Sequence, residues 1–326
     1  SQQPDPDVNL RIVEIREDGI VIRGAKIMIC GTAAAHEVFL LPGGVYREED
    51  QDYALACVEP RDIEGLTIVE ATHPSDRREM EETAASEVPD TGITQGWLLF
   101  EDVFVPNERV FMCKEFKYTG KVIQYFTANY RACIGACVSG QGDVMIGASI
   151  LMARANGLAT KTFMNKLVDM SINNQITYGL GVGACAIGFQ HPAGSWFADP
   201  LTAHTNKVMV ATLPYEVKRL TQEIGGGIVE TGCMPSYKDL TSPEYGHLLD
   251  RYLKAGEASA ETRFKAARLS EWLTVGAGIP GCMHGGGSPD GAKLMVRFTT
   301  PMEEYVDYAR KIMNIEEEVP EPQKPR

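Results

Sequence analysis

Two thiols, a phenol and a guanidinium fall close together in Asn129-Tyr130-Arg131-Ala132-Cys133-Ile134-Gly135-Ala136-Cys137-Val138-Ser139-Gly140-Gln141-Gly142-Asp143. Cys133 and Cys137 stand one helical turn apart, so both thiols can face one side of a helix. An iron–sulfur cluster needs thiolates converging from several segments, and this pair supplies half a site. The other reading is a packed helix carrying two small apolar residues. Tyr130 can act as an acid or base if its surroundings tune it. Arg131 can grip a carboxylate or phosphate through two parallel hydrogen bonds, or the two can be an ordinary helix pair. Gly225-Gly226-Gly227 lets a backbone approach a ligand and frees N–H groups for phosphate, or else ends a helix. Met283-His284-Gly285-Gly286-Gly287-Ser288-Pro289 has the look of a ligand loop, although a lone histidine such as His284 is more often structural. No nucleophile elbow, Walker loop or zinc spacing is present.

Two differently built halves must position these groups. Residues 8–113 read as strands and turns. Segment 9–16 alternates apolar and polar residues, Glu17-Asp18-Gly19 carries a hairpin signal, and 20–24 returns. Segments 37–42, 53–58 and 97–106 read as further strands, with a charged surface loop or short helix over 76–90. From about residue 108 the texture turns helical: 122–159, 161–188, 200–223, 242–252, 259–275 and 290–313. The boundaries predicted are a β domain over 1–113 and a helical bundle over 114–326, with a frayed tail over 316–326. Strands and helices do not alternate and no G-x-G-x-x-G joins them, which argues against a Rossmann domain.

The chain has 326 residues, enough for two cores, and a net charge of −13. That charge argues against a nucleic-acid or anionic-membrane surface. No run of about 18 apolar residues is present, so no membrane span is expected. The eight cysteines are scattered among apolar residues, which reads as a reducing, cytoplasmic setting.

At the Tyr130–Asp143 stretch, and along nearly the whole chain, the sequence resembles the 4-hydroxybutyryl-CoA dehydratase and 4-hydroxyphenylacetate 3-hydroxylase family, and the dehydratase branch more than the hydroxylase branch. The likeness is carried by segment 16–26, Asp102-Val103-Phe104-Val105-Pro106-Asn107, Gly140-Gln141-Gly142-Asp143, Leu213-Pro214-Tyr215-Glu216 and Met283-His284-Gly285-Gly286-Gly287-Ser288-Pro289. The resemblance implies an α+β, acyl-CoA dehydrogenase-like fold. In that fold a β domain precedes a helical bundle, and the family's N-terminal helical domain is missing from this chain. That domain is expected on a separate subunit or removed. The resemblance further implies FAD, an acyl-CoA or similar small-molecule substrate, and a homo- or hetero-tetramer.

Within the resemblance, Cys137 takes a cluster-ligand position and Cys133 does not. Tyr130 stands where a histidine ligand is expected. Ile134 and Val138 replace a tyrosine and a lysine of the active site. Gln95 replaces a glutamate, so it can hydrogen-bond a substrate but not act as a base. A 4Fe-4S cluster is therefore left with a partial ligand set. Gly225-Gly226-Gly227 and His284-Gly285-Gly286-Gly287-Ser288 are the implied cofactor loops, the first often serving a neighbouring subunit. Segment 26–32 is implied to run beside the flavin ring. The reading is a subunit of a FAD-dependent enzyme with altered dehydratase chemistry. The rivals are a flavin-dependent aromatic hydroxylase and a non-catalytic paralogous subunit.

Overall fold

The computed structural model describes residues 3–70, 95–158, 160–256, 258–274, 285–317 and 319. The predicted loop over 76–90, and also Met283 and His284, lie outside them. Among the described residues, seven strands fill the first third: β1 (Arg11–Ile15), β2 (Gly19–Cys30), β3 (Glu37–Leu40), β4 (Leu55–Pro60), β5 (Leu66–Glu70), β6 (Gln95–Pro106) and β7 (Val110–Cys113). They form an antiparallel sheet in the order β1-β2-β6-β5 and a second in the order β3-β4-β7. The inward residues of both sheets, among them Ile22, Leu40, Cys57, Phe100 and Val105, make one apolar core. Strands β5 and β7 are not among those expected. β2 is also much longer than the 20–24 segment, because a bulge between Lys26 and Ile29 lets it continue to Cys30. Met28 at this bulge has φ 58°, which turns the strand end.

The β core contains one badly placed carboxylate. Glu59 on β4 is fully buried, and neither carboxylate oxygen has a partner among the described residues. Burial pushes its carboxyl up to about 7, against the opposing pull of Arg109 and with a smaller push from Glu37. Below its unfolded value Glu59 is protonated in both states and costs nothing. The ionisation penalty grows as pH rises from the unfolded value towards the folded one and is complete above it. Glu59→Gln is therefore expected to stabilise the chain by about 1–3 kcal/mol near pH 8 and by almost nothing near pH 4.5. Urea unfolding at the two pH values measures the difference.

The rest is helical, apart from a small hairpin of β8 (Phe189–Gln190) and β9 (Trp196–Phe197). The main helices are α1 (Thr119–Ala155), α2 (Lys161–Ala186), α3 (Pro200–Val210) and α4 (Leu213–Gly225). Shorter ones follow: α5 (Gly227–Glu230), α6 (Tyr237–Leu240), α7 (Gly246–Leu253), α8 (Ala260–Thr274), α9 (Pro289–Thr299) and α10 (Met302–Met313). The helix expected over 200–223 is two helices. Thr212, with φ −126° and ψ −58°, breaks it two residues before Pro214. The region over 290–313 is also two helices, because Thr300 is extended ahead of Pro301.

Helix α1 is long and apolar enough to span a bilayer by length and composition. In this fold it packs against α2, α3, α4 and α8 as the central helix of the bundle. Met145, Met152, Met170, Ile224 and Phe264 form the bundle core. The last helix, α10, has no buried residue, and its Met302, Tyr305, Val306 and Ile312 are exposed.

Candidate active site

Tyr130 and Arg131 of α1 meet the 285–288 loop. Tyr130 sits on α1 against the 285–288 loop, where Gly286 has φ 70° and a Cβ would lie 2.7 Å from Tyr130 Cδ1. Only glycine fits both the backbone conformation and the gap. Arg131, one residue on, is 4% exposed and holds the same loop by donating from Nε to the Gly286 carbonyl at 3.0 Å. Its Nη1 lies 2.8 Å from Nδ1 of His204, which is fully buried on α3. A guanidinium can only donate, so Nδ1 accepts and the imidazole proton lies on Nε2. Nε2 has no partner among the described residues. Burial first, then the Arg131 charge, pushes His204 down to about 4, so it is neutral. Burial also lowers Arg131 from its usual value. Arg131 thus fastens the loop, and its fork is not the open carboxylate grip that its residue type suggests.

Tyr130 is 38% exposed. Burial raises its pKa first, and the nearby thiols of Cys30 and Cys137 raise it further. The phenol is therefore held protonated at neutral pH. Phe126 stacks on its ring with centroids 6.1 Å apart. Cys133 and Cys137 are both exposed free thiols on α1. Ile134 and Val138 turn the other way and are buried in the bundle core.

In the β sheet, Gln95 opens β6 directly opposite Cys30, the last residue of β2. Gln95 Nε2 donates to Cys30 Sγ at 3.0 Å. Sequence reasoning placed Cys30 only in an apolar strand beside the expected flavin. Its approach to Tyr130 and its pairing with Gln95 are set by a register between residues far apart in the chain.

The other glycine run is elsewhere. Gly225 ends α4 and Gly226, with φ 71°, caps it by donating to the Gln222 carbonyl at 2.8 Å. Nearby Thr221 takes a hydrogen bond from Ser149 at 3.2 Å, and Glu223 pairs with Lys166. Ser149 lies roughly 28 Å along α1 from Tyr130 at 1.5 Å per residue. Gly225, Gly226 and Gly227 are thus at the opposite end of the bundle from the 285–288 loop, and the two runs do not share one cradle in this chain. At that far end lies an apolar groove of about 850 Å³ between α1 and α2, lined by Ile146, Ile150, Leu158, Met164 and Val168. It holds none of the site residues.

Among the described residues no group of three or more His, Cys, Asp or Glu side chains gathers into a metal site. Cys137 and Cys133 are left with a phenol where an imidazole donor was expected. The described donor set does not fit a 4Fe-4S cluster. The flavin fits better. The end of β2 exposes Ile27 and Met28 as an apolar edge beside Cys30, and Gly286 and Gly287, both with positive φ, bring backbone close to Tyr130 and Arg131.

Known proteins resemble the chain over most of its length. Residues 119–314 match the family model for the 4-hydroxyphenylacetate 3-hydroxylase C-terminal region, and residues 1–112 match the model for its N-terminal region. The 4-hydroxybutyryl-CoA dehydratase/vinylacetyl-CoA-Δ-isomerase of Clostridium aminobutyricum is 35% identical over 312 residues, covering 91% of this chain and 63% of that protein. The oxygenase component of 4-hydroxyphenylacetate 3-monooxygenase from Thermus thermophilus is 25% identical over 280 residues, covering 84% and 56%. An oxygen-tolerant archaeal 4-hydroxybutyryl-CoA dehydratase from N. maritimus superposes with a TM-score of 0.93 at 30% identity, over 100% of this chain and 66% of that one. The monooxygenase component solved with FAD and 4-hydroxyphenylacetate gives 0.83 at 21% identity, over 96% and 66%, a likeness of fold. Glutaryl-CoA dehydrogenase gives a looser 0.54 at 12% identity, over 87% and 59%. The chain spans less than two thirds of the length of the curated relatives it matches across most of its own length. It belongs to the 4-hydroxyphenylacetate 3-hydroxylase family, a family of flavoenzymes that includes 4-hydroxybutyryl-CoA dehydratase.

Proposed function

We propose that this chain is the part of a FAD-dependent enzyme, related to 4-hydroxybutyryl-CoA dehydratase, that receives an acyl-CoA or similarly activated acid between the β domain and α1. One observation carries the reading: Tyr130 of α1 packs on the Gly286 backbone and feels the thiols of Cys30 and Cys137, and Cys30 in turn pairs with Gln95. The likeness to the dehydratase over 91% of the chain supports the substrate class.

The residues that would hold the flavin are the exposed edge of β2 at Ile27 and Met28 and the 285–288 loop. When bound, the flavin supplies the electron-transfer chemistry that amino-acid side chains lack. The chain's own residues do the rest. Arg131 and His204 keep the loop seated on Tyr130. Tyr130 holds a proton that it can give to a developing oxyanion. Gln95 presents a hydrogen-bond donor and cannot remove a proton. Gly225, Gly226 and Gly227, at the far end of the bundle, serve a neighbouring copy in a tetrameric assembly, whose partner surfaces include the exposed apolar face of α10. No step is assigned to an iron–sulfur cluster.

A second reading is a non-catalytic subunit paired with an active one. It is favoured by Ile134 and Val138, which bury apolar side chains where the resemblance implies proton-handling groups.

The test is anaerobic loading with FAD, followed by gel filtration and titration with crotonyl-CoA. The expected result is co-eluting flavin in stoichiometric amount, with an absorbance band that shifts on adding the thioester. A chain that retains no flavin and binds no thioester sinks the proposal. Flavin and thioester binding without turnover by the assembled complex selects the non-catalytic reading.

A further inference from the structure

We propose that the apolar groove between α1 and α2 receives the exposed face of α10 from a second copy of this chain. The proposal goes beyond the acyl-CoA reading, needs neither flavin nor thioester, and names what α10 meets in the assembly.

The groove is built by two helices that leave apolar side chains uncovered. Only four of the 26 residues of α2 are buried. Met164, Val168 and Ile172 follow one another a turn apart along it, each more than half exposed. With Ile146 and Ile150 of α1 they line a cavity of about 850 Å³.

Helix α10 is the matching piece. Its Met302, Tyr305, Val306, Ala309 and Met313 recur at helical spacing as one stripe, and none is buried. A lone helix of 12 residues is marginal in water, so α10 needs a surface to hold it. Its own chain does not supply one. The loop before α9 is seated on Tyr130, α9 packs on α3, and the groove begins at Ile146, about 24 Å further along α1 than Tyr130.

Length and charge fit the two together. Helix α10 is about 18 Å long, and so is the α2 wall from Met164 to Gln175. Arg154 is the one charged residue lining the groove, and its guanidinium has no partner among the described residues. Asp143 stands about three turns earlier on the same face of α1, near the groove's other end, where it accepts from Asn174 at 2.8 Å. On α10, Glu303 and Arg310 flank the apolar stripe on one side, about two turns apart. With the first turn of α10 at Arg154, Glu303 meets Arg154 and Arg310 points towards Asp143. The reverse direction would bring like charges together. A two-fold pair of chains makes the contact twice, with the stripe supplying the i, i+3, i+4 and i+7 anchors of helix-in-groove recognition.

The test is native mass spectrometry of the full chain without flavin, titrated in concentration. The wild type is expected to pair. Val306→Arg and Ile172→Arg, both at exposed positions, are each expected to weaken pairing by about 30-fold or more, with circular dichroism unchanged. Mixing the two variants, one of them isotope-labelled, is expected to give mixed pairs that form more tightly than either variant alone. Such a pair keeps one intact α10 and one intact groove. Arg154→Glu is expected to weaken pairing about fivefold, and Glu303→Arg in the same chain to recover it.

A wild-type chain that is monomeric at about 100 μM overturns the proposal. So does wild-type pairing in either arginine variant. A mixture of the two that stays monomeric overturns it as well, because it shows α10 meeting α10 or α2 meeting α2. None of these outcomes bears on the flavin and thioester reading, since neither ligand is in the assay. Loss of flavin binding with pairing intact sinks that reading alone.

Discussion

Gly135→Val is expected to lower the melting temperature of the chain by roughly 5–10 °C, the scale of an overpacked core at about 2–4 °C per kcal/mol in larger domains. Gly135 is where α1 touches both α2 and α3. A Cβ there would lie 2.7 Å from the Thr177 carbonyl oxygen and closer still to Nδ2 of Asn206. The contact is reciprocal, since a Cβ on Gly181 of α2 would lie 2.6 Å from the Ala132 carbonyl oxygen. These neighbours are largely backbone and cannot swing aside as a flexible side chain can. Asn206 is further pinned by its own hydrogen bond to the Arg131 carbonyl at 3.0 Å. A valine must therefore push two helices apart along their packed length. Gly140 is the control, because a Cβ there has nothing within 4 Å. Gly140→Ala is expected to stabilise the chain by up to about 1 kcal/mol through helix propensity alone. Circular-dichroism melts of the two variants check both signs. A Gly135→Val chain that melts with the wild type would mean that the helices do not approach as described.

Arg131→Met is expected to cost about 1–3 kcal/mol at neutral pH and to abolish flavin retention. Removing the guanidinium relieves a buried positive charge, which offsets part of the loss. It also leaves two buried acceptors unpaired, the Gly286 carbonyl and His204 Nδ1. Without that tie the loop is no longer held on Tyr130. The variant should differ in its acid response too. In the wild type His204 is held neutral down to about 4, while the unfolded chain takes up a proton near 6.5. Stability from this group is complete above the unfolded value and falls as pH drops towards the folded one. Burial is the larger cause and survives the substitution; the Arg131 charge does not. The acid-induced loss of stability between about pH 6.5 and 4 should therefore shrink without vanishing. Urea unfolding across that range, with flavin retention measured by gel filtration, tests both parts.

The parts of this molecule that repeat at short range were readable from the residues. Alternation in segment 9–16 and the Asp18-Gly19 turn specify the β1–β2 hairpin. The long apolar, proline-poor runs specify α1 and α2. The break before Pro214 was also written in the sequence, as was the one before Pro301, but helical spacing on both sides masked them. What could not be read was anything set by pairing across large separations. Cys30 and Gln95 are 65 residues apart and meet only because β2 and β6 pair in one register. His204 and Arg131 are 73 residues apart, and neither helix alone marks the other as its partner. Tyr130 and the glycines at 286–287 were each singled out, yet their contact appears only with the fold. Strands β8 and β9, of two residues each, are too short to leave a period.

Helix α1 carries Tyr130, Arg131 and Cys137, but five of its 37 positions are glycine. Each costs about 1 kcal/mol relative to alanine, so the segment has little reason to be helical before it meets its neighbours. Its folding is then a late, non-local event: Gly135 and Gly181 can repay their cost only when α1 and α2 dock. Substitutions at the packed glycines should therefore act mainly on the unfolding rate, whereas alanine at Gly140 or Gly147 should give α1 early structure and speed folding. The spacing between Tyr130 and Cys137 is accordingly a product of assembly, and an intermediate with a complete β domain and an undocked α1 would have no cleft at all.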